Sequence, residues 1–124
     1  MRPETKIKVE RRRQAIALLR SLYSRREARL DGNAVSKAYR TELEEDDPSL
    51  TYGEVDVPAF LSILDIAKPR VGETFCDLGS GTGKAVLAAA LAFPEFRKCL
   101  GIEIVPGLAA AAADRLAATR QALA

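Results

Sequence analysis

The sequence predicts an α/β fold: an incomplete parallel sheet with two visible strands, preceded by an α-helical N-terminal segment. Three observations carry this. Phe75-Cys76-Asp77-Leu78 is a short strand-like run, and Gly79-Ser80-Gly81-Thr82-Gly83 leads from it directly into a helix-forming stretch beginning at Lys84. Leu100-Gly101-Ile102-Glu103 is a second such run that also ends in an acid. Two short strands separated by a helix-length segment read as parallel neighbours. Charge is also divided: residues 1–40 hold 12 Lys/Arg against 4 Asp/Glu, and residues 41–124 hold 7 against 13.

The basic part reads as helix. Val9, Ile16, Leu19, Tyr23 and Leu30 fall near one face at helical spacing, with Arg11-Arg12-Arg13 and Arg25-Arg26 around them. Gly32-Asn33 is expected to end this helix, and Asn33 to cap a second one reaching about Leu43. Glu44-Glu45-Asp46-Asp47-Pro48 then forms an acidic hinge. The chain accordingly divides into a basic helical segment, 1–47, and a partial cofactor-binding domain, 48–124. A basic helix suits nucleic acid or an acidic protein face. The competing reading is an amphipathic helix packed on the domain. The second is favoured, because aromatics are few and the apolar stripe needs a cover.

Asp56 is expected to cap the next helix, with Pro58 in its first turn, where no donor is missed. Phe60, Ile63, Leu64 and Ala67 make its apolar face, and Lys68-Pro69-Arg70-Val71-Gly72 ends it. The two strands follow, with the glycine turn and its helix between them. Pro106 marks the start of an alanine-rich last helix. Ala supplies 21 of 124 residues, so the 48% hydrophobic content overstates the large core side chains. Stability of the chain alone is expected to be marginal. A sheet of two strands also leaves edges and faces uncovered.

The glycine turn narrows the chemistry. A P-loop needs glycine five positions before its Gly-Lys pair and Ser or Thr after the lysine. Here those positions are Leu78 and Ala85. A dinucleotide fingerprint needs a third glycine where Lys84 stands, and Asp77 would repel a pyrophosphate. A cationic nucleoside such as S-adenosylmethionine is attracted instead. Glu103, twenty residues past Gly83, suits hydrogen bonds from ribose hydroxyls.

Together with Thr51-Tyr52-Gly53-Glu54, these motifs resemble the cofactor-binding half of the DOT1-like histone lysine methyltransferases, over about Leu50 to Leu116. The Tyr-Gly-Glu loop is the discriminating part. The resemblance implies a Rossmann-like class I methyltransferase fold, with S-adenosylmethionine as cofactor. It places Asp77, Gly79 and Gly81 at the methionine end and Glu103 at the ribose, with Tyr52 on the loop that closes over the cofactor, and it counts Gly83 and Glu54 among the cofactor-binding residues. Lys84 stands where glutamine is common in that family, and as a charged donor it suits the cofactor's carboxylate. The family's asparagine-rich acceptor-side segment has no counterpart, so the chain reads as truncated, or as completed by a partner. The implied substrate is a basic, histone-type protein. The alternatives are a non-catalytic cofactor-binding or interaction module, and a nucleic-acid-binding helical module carrying a methyltransferase remnant. No catalytic residue is named, no metal site is expected, and the absence of histidine excludes a His-based triad.

No run of residues is apolar and long enough to span a bilayer. The N-terminus lacks an apolar signal region. Two cysteines without such a signal suit a reducing compartment, nuclear or cytoplasmic. If Asp77 and Glu103 end neighbouring strands in register, Cys76 and Cys99 lie about three residues apart in register, too far for a disulfide. Both then read as small buried residues.

Overall fold

The computed structural model describes residues 2–23, 34–35, 37 and 55–124. Among these, the elements run α1 (Pro3–Leu22), α2 (Val57–Ala67), β1 (Thr74–Leu78), α3 (Lys84–Ala92), β2 (Lys98–Ile102) and α4 (Pro106–Leu123). Ala34, Val35 and Lys37 are helical as well. The expected acidic hinge, Leu30 and the Tyr52-Gly53-Glu54 loop lie outside the described residues.

Proline opens α1, α2 and α4 in the first turn, where its missing N–H costs no hydrogen bond. Asp56 caps α2 as expected, accepting from the Ala59 N–H at 3.3 Å. The buried stripe of α2 is Val57, Leu61 and Leu64, with Phe60 half-buried beside it. The expected face is therefore rotated. Ile63 is exposed and Leu61 takes its place, because 57, 61 and 64 lie on one side of the helix.

The expected long first helix is also corrected, since α1 ends at Leu22, well before Gly32. Tyr23 leaves the helix at φ −119° and ψ 83°, its N–H closing the last turn on the Leu19 carbonyl. Ala15, Leu19 and Tyr23 enter the core, Ile16 borders it, and Val9 stays exposed. Thus α1 packs on α3 and shares one apolar cluster with α2, α3 and the strands.

Helix α3 is central and touches α1, α2 and both strands. Its alanines explain why. Ala88 and Ala89 are wholly buried, and their small side chains let neighbours approach from several sides. Between α3 and the sheet runs a chain of rings. Phe60 meets Phe75 edge-on at 5.8 Å, Phe75 meets Phe96 at 5.7 Å, and Phe96 meets Phe93 at 6.1 Å. Arg12 lies over Phe93 at 5.2 Å and holds Asp65 through both of its terminal nitrogens.

The strands are parallel, with Phe75 opposite Cys99, Asp77 opposite Gly101 and Leu78 opposite Ile102. This corrects the assumed register, because Glu103 lies beyond the partner of Asp77. Cys76 and Cys99 consequently stand one position out of register, on opposite faces. Both are free thiols. Cys76 is exposed rather than buried, whereas Cys99 is half-buried and burial pushes its thiol pKa up. One face of the sheet is covered; the other leaves Leu78 and Ile102 in solvent.

Candidate cofactor site at the glycine turn

Asp77 sits one residue before the end of β1, and Glu103 follows directly on β2. Strand pairing brings the two carboxylates to the same end of the sheet. Asp77 is half-buried, and its pKa is raised above 3.8, first by desolvation and then by the negative charge of Glu103. Two acids close enough to disturb each other make a negative patch, whose natural complement is a cation.

The turn between them is tightly tied. Gly79, Gly81 and Gly83 all have positive φ, which glycine adopts without a Cβ penalty. The Gly79 and Ser80 amides both donate to the Ile102 carbonyl, at 2.7 and 3.1 Å. The Gly83 amide donates to the Ser80 carbonyl at 2.9 Å. The Gly81 amide donates to Glu103 Oε1 at 2.7 Å, while Oε2 of the same carboxylate accepts from the Val105 amide at 2.9 Å. A phosphate cradle works by presenting unused amides. Here the Gly79, Ser80, Gly81 and Gly83 amides are already committed within the chain, which argues against a phosphate held by those four. Glu103 keeps lone pairs for two further donors, since a carboxylate has about four acceptor positions.

Two of the glycines differ in what surrounds them. A side chain at Gly79 would meet nothing within 4 Å, so the turn is open there to an approaching ligand. A Cβ on Gly83 would lie 3.2 Å from the Ala112 Cβ, so that glycine serves packing against α4. Gly101 is needed for a different reason. Its absent Cβ would stand 2.4 Å from the Ser80 side chain, so only glycine lets β2 pass under the turn.

Tyr23 is the residue that sequence reasoning did not assign to this site. It is 1% exposed, and its hydroxyl donates to the Thr82 carbonyl at 2.6 Å. Lys84 and Arg115 flank its ring at 6.0 and 5.2 Å. Helix α1 therefore braces the glycine turn from behind. A signal was present: a tyrosine at the end of an apolar stripe carries a polar tip that needs a partner when buried. Lys84 starts α3 with its ammonium over Tyr23. Asp77, Gly79, Gly81, Gly83, Lys84 and Glu103 gather at one end of the sheet, whereas Tyr52 and Glu54 lie outside the described residues.

Residues 38–124, more than half of the chain, match the family described as histone methylation protein DOT1. The chain belongs to the DOT1 family. Searches of curated proteins and of solved structures return no match. Membership ties the chain to a family of histone methylation proteins. Its matched segment contains the turn, both acids and all three elements that position them, while the Tyr23 brace comes from before it. Among the described residues no helix is long and apolar enough to cross a membrane.

Proposed function

We propose that this chain is the S-adenosylmethionine-binding part of a protein lysine N-methyltransferase acting on a basic, histone-type substrate. One observation supports it above the rest: Asp77 and Glu103 converge beside a turn four of whose amides are already used. S-adenosylmethionine supplies, when bound, a methyl group activated by its sulfonium.

The residues of this chain hold and orient. Ionised Asp77 offers charge to the methionine end. Glu103 accepts ribose hydroxyls while anchoring Gly81, so the turn and the ribose share one rigid support. Gly79 leaves room for close approach. Lys84 is the donor for the ligand's carboxylate, which it meets by turning from the Tyr23 ring. Tyr52 and Glu54 belong to the closing loop. Transfer itself is an in-line displacement at carbon by a neutral lysine amine, so positioning is most of the task. The acidic excess of residues 41–124 attracts a basic substrate. A histone-type substrate goes with a nuclear site of action, and a cytoplasmic one goes with another basic protein.

Calorimetry with S-adenosylmethionine tests the reading. Binding that is lost in Asp77→Ala and Glu103→Ala supports it, and a folded sample that binds nothing overturns it. The bare sheet face favours a second reading, a cofactor-binding module whose acceptor side comes from elsewhere. A radiolabelled methyl assay on histones separates the two, since the module binds without transfer.

A further inference from the structure

A cavity of about 200 Å³ lies at the opposite end of the strands from the glycine turn. It opens between α1, the C-terminal ends of α2 and α3, and the segment leading into β2. Lys8, Arg11, Arg12 and Lys68 line it, against Asp65 and Glu95. Arg12 neutralises Asp65 directly. That leaves Lys8, Arg11 and Lys68, none with an ion pair among the described residues, facing the single carboxylate of Glu95.

Two further observations point the same way. Arg12 and Glu95 line the cavity, and their buried Nε and Oε2 atoms have no hydrogen-bond partner. An unpaired donor and an unpaired acceptor at one site both carry a desolvation cost. Lys68 is the one non-glycine residue among those described with positive φ, 53° at the C-cap of α2. Glycine fits that position without strain, and a lysine there costs about 1 kcal/mol or more. The helix C-terminus welcomes a cation, yet this one also projects into a cavity with other unpaired cations.

We propose that this cavity binds a phosphate-class oxyanion, free or as a phosphomonoester, independently of the cofactor site. Its oxygens accept from Lys8, Arg11 and Lys68. Its hydroxyl donates to the Glu95 carboxylate. Phosphate suits this lining because it both accepts and donates. Sulfate, fully ionised, only accepts. A phosphomonoester holds its last proton only below about pH 6.

Calorimetry on the whole chain at pH 6 tests this with inorganic phosphate, sulfate and O-phosphoserine as probes. Phosphate is expected to bind more tightly than sulfate. Lys68→Gly is expected to weaken phosphate binding about tenfold, the loss of one charge-assisted hydrogen bond, without lowering the melting temperature. Glu95→Gln replaces the acceptor by an amide and is expected to abolish the preference for phosphate over sulfate. Binding of O-phosphoserine at least as tight as that of phosphate assigns an esterified ligand; binding of inorganic phosphate alone assigns the free ion. No phosphate binding at millimolar concentration, equal affinity for sulfate, or unchanged affinity in Lys68→Gly overturns the proposal.

Discussion

On one face of the sheet, Phe75 and Asp77 are half-buried, with rings and α3 close by. On the other, Leu78 and Ile102 stand 78% and 57% exposed, opposite each other in register. The covered face and the strand ends beside it carry the candidate site, and a helix from the basic segment reinforces them. The bare face has the composition of an interior without the cover. Among the described residues the apolar core thus lies on the covered face, and substitutions should have unequal consequences on the two sides.

The largest contrast comes from the core. Leu19→Ala should cost about 2–5 kcal/mol, since Leu19 is 1% exposed. Chemical denaturation would measure it, and a cost below about 1 kcal/mol would erase the distinction between the faces. Next comes the brace. Tyr23→Phe removes the hydroxyl that bonds the Thr82 carbonyl, at a cost of about 0.5–1.5 kcal/mol. Calorimetry on the same variant should show weaker S-adenosylmethionine binding. Unchanged affinity would mean that α1 supports the core but not the turn.

Asp77→Asn should act in opposite directions on stability and binding. Ionised Asp77 is disfavoured in the folded chain, so folding holds its proton more tightly than the unfolded state does. The stability that this proton gives is complete below about pH 3.8 and is lost as pH rises through the raised folded pKa. Near neutral pH, Asp77→Asn should therefore melt slightly higher than the parent while binding the cation less well. In the parent, affinity should grow as pH rises through the same raised pKa; a flat profile would detach Asp77 from the ligand. The smallest effect belongs to the bare face, where Leu78→Thr should change stability by no more than about 0.5 kcal/mol.

Much of the site was legible because it is local. The strand, the glycine turn and the helix start are contiguous, and the distance to Glu103 is set by one helix and one strand. Asp56 and the three helix-opening prolines were readable for the same reason. Errors arose where tertiary contacts decide. Periodicity along α2 did not say which side faces α3, so Ile63 and Leu61 exchanged roles. Tyr23, at the end of α1, bonds through its hydroxyl to the Thr82 carbonyl, 59 residues away. Gly101 in β2 lies against Ser80 of the turn. None of these can be found by inspecting one segment at a time.

The exposed thiol of Cys76 shares the bare face with Leu78 and Ile102. An adhesive surface with a sulfhydryl on it behaves differently in air and under reductant. A thiolate there is open to solvent oxidants, so Cys76 is the cysteine of the two that a mild alkylating reagent should reach first, ahead of the half-buried Cys99.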